Sequence, residues 1–125
     1  MGAAEPFQRL RPTVFVRPLV TPVVWHEHVG DGFPVTHPYV RRYWTPVLGP
    51  GAVADLLRLA TAAARDCPLP RPLYLAELIK AEFVSLAAGS LLVRTHVPAV
   101  PIALARRLPP RLRREIHAQL RRPAL

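Results

Sequence analysis

Sixteen prolines divide this chain of 125 residues into short segments. Proline fixes its own φ angle and has no N–H to donate, so it interrupts helices and is kept out of the interior strands of a sheet. The sequence therefore predicts helices of about two to four turns and no long central strand. Half of the residues are hydrophobic, which is enough for a packed core and excludes a wholly disordered chain. The length is typical of a single domain.

Residues 1–36 are predicted to form an extended N-terminal arm. β-Branched residues dominate from Arg11 to His28 and are interrupted by Pro12, Pro18 and Pro22. This pattern favours one or two short extended segments, at a sheet edge or packed over the helices. Gly30 and the glycine two residues later mark the turn that ends the arm.

Residues 37–98 begin with three helical patterns. The first helix starts near Pro38 and carries an apolar face of aromatic residues. The second starts at Pro50 and repeats apolar residues with the helical period, which leaves Asp55 on its polar side. The third covers about residues 72–82 and has a narrow apolar stripe.

Two strand patterns follow the helices, at about residues 83–86 and 91–95, around a turn in which Gly89 supplies a positive φ. Residues 99–125 form a tail that is basic and helical. The predicted fold class is α+β and mainly helical. It comprises a three-helix body followed by a two-stranded β-hairpin, with the extended N-terminal arm before it and the basic C-terminal helix after it.

The order of three helices and a hairpin, over about residues 38–98, resembles the winged helix-turn-helix superfamily. In that family the third helix enters the major groove of DNA and the hairpin, called the wing, touches the DNA backbone. The resemblance implies that Pro72–Glu82 is the reading helix and that Ala87–Ser90 is the tip of the wing.

Net charge provides a second indication of a polyanionic partner. The chain carries +9, and residues 99–125 hold seven arginines against one acid. Arginine suits phosphate because its planar guanidinium can donate two hydrogen bonds at once. The predicted nucleic-acid-binding residues are ten arginines: Arg41, Arg42, Arg94, Arg106, Arg107, Arg111, Arg113, Arg114, Arg121 and Arg122.

These features predict a small basic nucleic-acid-binding protein, with duplex DNA preferred over RNA and transcriptional regulation as one such role. The near-exclusive use of arginine over lysine is typical of a bacterium with a GC-rich genome. The alternative is a non-catalytic adaptor or subunit of a larger assembly, which would dock a protein partner or a second copy. Its N-terminal arm could then add to a partner's sheet edge. Membrane association through the basic tail ranks last, because its apolar face is narrow.

No catalytic, metal-binding or cofactor-binding pattern stands out, so we expect a protein that is not an enzyme and needs no cofactor. His26 and His28 would share one face of an extended segment, which leaves metal binding by this pair open. Cys67 is the single cysteine and cannot form an internal disulfide, which fits the cytoplasm. Tyr39, Tyr43 and the adjoining tryptophan could stack on bases, although aromatic residues at helical spacing usually belong to the core.

Overall fold

The structure is a computed structural model that describes residues 17–121, and the side chains of residues 120 and 121 lie outside the description. The described part is α+β. Its seven strands are β1 (Leu19–Val20), β2 (Pro22–Val24), β3 (Phe33–Pro34), β4 (Leu69–Pro70), β5 (Val84–Ala87), β6 (Ser90–Val93) and β7 (His96–Val97). Its five α-helices are α1 (Thr45–Leu48), α2 (Pro50–Arg65), α3 (Leu75–Lys80), α4 (Ile102–Ala105) and α5 (Pro110–Arg121).

The predicted fold class is wrong in its architecture. The described chain forms three small sheets, with strand orders β1-β4, β2-β6-β5 and β3-β7, and not a three-helix body with one hairpin. Within the predicted three-helix body, only α2 matches a predicted helix along most of its length. The first predicted helix is a π-helical segment at Val40–Trp44 that continues into the short α1, and the third shrinks to six residues in α3.

The predicted hairpin exists, but it belongs to a three-stranded sheet. Strands β5 and β6 pair antiparallel around a turn at Ala88 and Gly89, whose φ angles of 50° and 77° are those of a tight type I′ turn. On its other side β6 pairs parallel with β2, which makes β6 the central strand of the sheet. Leu91 and Val93 of this hairpin are buried in the core, whereas residues 86–89 around its turn are exposed.

The described part of the N-terminal arm contributes one strand to each of the three sheets. Strand β1 pairs with β4, β2 with β6, and β3 with β7, so every strand before residue 36 has its partner among residues 69–97. Gly32 permits the last of these pairings, because a Cβ at this position would overlap the carbonyl of Val97. Residues 17–36 therefore belong to the same sheets as residues 69–97, which were predicted to lie in a separate body.

Helix α2 packs on the three-stranded sheet and supplies much of the core. Leu56 and Leu59 on this helix are completely buried, as is Val93 opposite them. Trp44 packs edge-on against Phe83 with ring centres 4.9 Å apart. Its indole N–H donates a hydrogen bond of 2.8 Å to the Pro98 carbonyl, which ties the helical layer to the chain leaving the last strand.

The π-helical segment has a local cause in Pro46. This proline cannot donate to the carbonyl four residues before it, that of Arg42, and its ring crowds the same carbonyl. A wider turn relieves that conflict, and such turns recur at functional sites. The turn buries Val40, Tyr43 and Trp44 while Arg41 and Arg42 stay exposed.

Between residues 17 and 121, no helix combines the length and the apolar character needed to cross a bilayer.

Candidate nucleic-acid interface

One acidic side chain, Glu115, attaches α5 to the π-helical segment. Arg42 donates two hydrogen bonds to its carboxylate, from Nε to Oε2 at 2.9 Å and from Nη2 to Oε1 at 2.6 Å. The Tyr43 hydroxyl donates a third to Oε2 at 2.8 Å. One residue further along α5, Ile116 is buried in the core. Together these contacts determine which side of α5 faces the body and which faces solvent.

The same contacts keep both members of the ion pair charged. Hydrogen bonds from Arg42 and Tyr43 lower the pKa of Glu115 from 4.5 to about 2. The hydrogen bond with Glu115 in turn raises the pKa of Arg42. The only acidic residue among residues 99–125 therefore forms its ion pair with an arginine from another element, and not with a described arginine of the tail.

Five arginines of the C-terminal helices form what we call the basic surface. Arg106 and Arg107 are exposed in the turn after α4, Arg111 and Arg114 are exposed on α5, and Arg113 is half-buried. Across residues 17–119, none of the five takes part in an ion pair. The basic surface thus places positive charge in the turn after α4 and along the first half of α5.

The position of these arginines within α5 does not favour the helix itself. The first turn of α5 contains no acid, and three arginines lie close to its N-terminus. Cations there oppose the helix dipole, typically by about 0.3–1 kcal/mol each. A bound anion would offset this unfavourable interaction. It would be attracted to the guanidinium groups and could accept hydrogen bonds from the backbone N–H groups of the first turn.

A groove of about 500 Å³ separates α5 from the π-helical segment. Thr36, Pro38, Arg41, Arg42 and Leu112 line it. The two arginines were predicted from the sequence, but the groove was not. Its other wall comes from α5, whose position depends on the contact between Arg42 and Glu115, far apart in the chain. No local pattern signals such a contact.

Arg94, which was predicted to join the same interface, lies elsewhere. It follows β6, its Nη2 donates a hydrogen bond of 3.0 Å to Nδ1 of His28, and burial lowers its pKa. Its Nε is buried with no partner among the described protein groups. The structure therefore places Arg41 and Arg42 in a groove with Leu112 of α5, whereas the contact it gives Arg94 is with His28. The side chain of Arg121 and all of Arg122 lie outside the described residues.

The histidine pair adopts a local arrangement of its own. His26 and His28 lie in a 3₁₀ turn instead of an extended strand. His28 packs edge-on against Trp25 and its Nδ1 is 3.3 Å from the Asp31 carboxylate. Within residues 17–121 no three histidine, cysteine or acidic side chains lie close enough together to hold a metal ion.

The aromatic residues of the π-helical segment offer no open stacking platform. Tyr43 and Trp44 are buried. Tyr39 stacks on Phe33 with ring centres 4.0 Å apart and planes 4° apart, and its hydroxyl accepts a hydrogen bond from the N–H of Val100. These rings therefore stabilise the fold.

Comparison of the chain with known protein families, curated proteins and solved structures found no match.

Proposed function

We propose that this protein binds nucleic acid through the basic surface of α4 and α5. The observation that supports this most is the distribution of ion pairs. The one acid of the tail is committed to Arg42, while the five arginines of the basic surface form no ion pair among residues 17–119. Uncompensated guanidinium groups on adjacent helices are what phosphate recognition requires. The cytoplasm, where a bacterium keeps its nucleic acid, is the matching location.

Contacts from this surface would position a nucleic acid without reading its sequence. The expectation of a reading helix came from the winged-helix resemblance, and in the structure α3 has only six residues, with Leu75 and Leu78 buried. The remaining candidate contacts are arginines, which in this arrangement would engage phosphates, and phosphate contacts carry no base information. We therefore propose affinity that depends strongly on salt and weakly on sequence.

Fluorescence anisotropy with a labelled random duplex and a labelled single strand, across a salt series, tests the proposal. With three arginine–phosphate contacts, the logarithm of the affinity should fall with the logarithm of salt with a slope of about −2 to −3. The test variant carries Arg111→Glu, Arg113→Glu and Arg114→Glu. We expect it to bind at least about tenfold more weakly, since each 1.4 kcal/mol lost corresponds to a factor of ten.

The matched control changes three exposed basic residues on other elements, as Arg65→Glu, Arg71→Glu and Lys80→Glu. It has the same net charge as the test variant, so the overall electrostatic repulsion between protein and nucleic acid is the same for both variants. Retained binding in this control together with loss in the test variant supports the basic surface. Equal losses in both variants, or no binding by the unaltered protein at low salt, would contradict the proposal.

A second candidate function, that of a non-catalytic adaptor, is favoured by one different feature. Strand β5 lies at the edge of its sheet, and Leu86 on it is 66% exposed. Leu86 lines a groove of about 430 Å³ together with Leu19, which is 67% exposed. An extended segment of a partner protein could add to β5 and cover both leucines. Among the described residues, strands β1 and β2 of the arm are each paired on one side with another strand of the chain.

Light scattering after size-exclusion chromatography, with and without a candidate partner, separates this function from the first. If the partner adds to β5, the Leu86→Arg variant should no longer form the complex, while its binding of nucleic acid should stay unchanged. A complex that survives Leu86→Arg would exclude this edge as the docking site.

A further inference from the structure

We propose that the groove between α5 and the π-helical segment holds an unpaired base of single-stranded nucleic acid, with the neighbouring phosphates on the basic surface. This inference rests on the proposed function and goes beyond it, because it specifies the form of the nucleic acid. It predicts that single strands bind in preference to duplex.

The composition of the groove fits a base better than a phosphate alone. Pro38 and Leu112 contribute apolar wall, Thr36 adds a small polar side chain, and Arg41 and Arg42 contribute guanidinium groups. A flat, partly apolar ring with polar edges suits this mixture. In a duplex the bases are stacked and paired, so none of them can enter a concave site from the side, whereas a single strand can turn one outward.

Arg42 is prepared to act as a stacking surface. Two hydrogen bonds to Glu115 fix the plane of its guanidinium, and its Cζ lies over the Tyr43 ring, 5.8 Å from the ring centre. Arginine guanidinium planes stack on unpaired bases in protein–RNA complexes. Because the plane is already ordered, a base that stacks on it would lose little side-chain entropy. The Arg42 guanidinium would therefore provide the stacking surface that the buried rings of Tyr43 and Trp44 cannot provide.

Charge around the groove complements a strand that runs along it. Arg41 is exposed on one rim and forms no ion pair among residues 17–119. Arg111 is exposed on α5 and directly precedes Leu112, which lines the groove. A strand that places one base in the groove would therefore have Arg41, and Arg111 on the neighbouring helix, for the flanking phosphates.

The test fills the groove without altering any charge. Thr36 is exposed and lines the groove, so Thr36→Trp should occupy the space of the base. Thr61→Trp, at an exposed threonine on α2, is the matched control. Binding of a labelled oligothymidylate of about 12 nucleotides and of a duplex of the same length is measured by anisotropy for each protein. Circular dichroism melting of both variants verifies that they fold.

We expect the unaltered protein to prefer the single strand. Thr36→Trp should weaken single-strand binding about fivefold to a hundredfold, the range measured for the loss of one stacked base, and should leave duplex binding unchanged. Thr61→Trp should change neither. If the Thr36→Trp variant binds the single strand normally, or loses affinity for the single strand and the duplex equally, the groove is not a base site. Neither result bears on the basic surface, which the charge-reversal variant tests independently. Failure of one proposal can therefore be distinguished from failure of the other.

Discussion

Asp55 shows how a single residue can be misplaced by a correct helix prediction. The helical period puts it on the polar side of α2, yet only 3% of it is exposed. Its Oδ2 accepts a hydrogen bond of 2.9 Å from the backbone N–H of Tyr74, immediately before α3, and its Oδ1 pairs with Arg58. The carboxylate therefore joins two helices, and this function is invisible in the periodicity of either.

Replacing this carboxylate should destabilise the protein more than replacing its ion-pair partner. We expect Asp55→Ala to lower the free energy of unfolding by about 2–3 kcal/mol, because the Tyr74 N–H loses its acceptor in a half-buried position. Arg58→Ala should cost less, about 1–2 kcal/mol, because the buried carboxylate keeps its hydrogen bond from the Tyr74 N–H. Urea unfolding measures both. Asp55→Asn, which keeps an acceptor oxygen, should fall between them, and equal losses for all three would contradict this role.

At the scale of the element, α5 is attached by a polar contact and an apolar one. Ile116 would direct the same side of the helix inward in any amphipathic arrangement, and the sequence did predict a basic helix in this region. The partner was not predictable, because Arg42 and Glu115 are separated by most of the chain. Arg42 was assigned to phosphate binding on its residue type alone, whereas in the structure it holds α5 in place.

The stability supplied by this contact should depend on pH in one direction. Since the pKa of Glu115 is lowered from 4.5 to about 2, its ionised form favours the folded state. The contribution is complete above about pH 4.5 and is lost as the pH falls towards about 2. We therefore expect Glu115→Gln to unfold at lower urea concentration than the unaltered protein at about pH 6, and the two midpoints to converge near pH 2. A difference that stays constant over this range would contradict the assignment.

At the scale of the whole molecule, the order of strands differs from the order of the chain. The sheet β2-β6-β5 inserts a strand from before the helices beside a hairpin that comes after them. The N–H of Trp25 extends this pairing with a hydrogen bond of 2.9 Å to the Val93 carbonyl. A segment that appears to be an arm in the sequence is consequently one edge of the central sheet.

This topology predicts cooperative opening of the sheet. In hydrogen exchange measured by mass spectrometry, we expect peptides covering residues 20–25 to be protected to within about tenfold of those covering residues 84–93, because the two segments open together. The turn at residues 29–32, which is largely exposed, is the internal control and should exchange fast. If residues 20–25 exchange as fast as that turn, the arm is peripheral and the cooperative sheet is wrong.

The sequence by itself determined what depends on near neighbours. Proline spacing limited the lengths of the elements, the apolar period located α2, and the small residues at 87–90 located a hairpin, since all of these follow from backbone preferences over a few residues. The number of arginines in the tail was equally readable. Tertiary structure alone decided that β2 lies beside β6, that Asp55 is buried, and that Glu115 is paired with Arg42. Those outcomes depend on contacts between segments tens of residues apart, for which local periodicity carries no information.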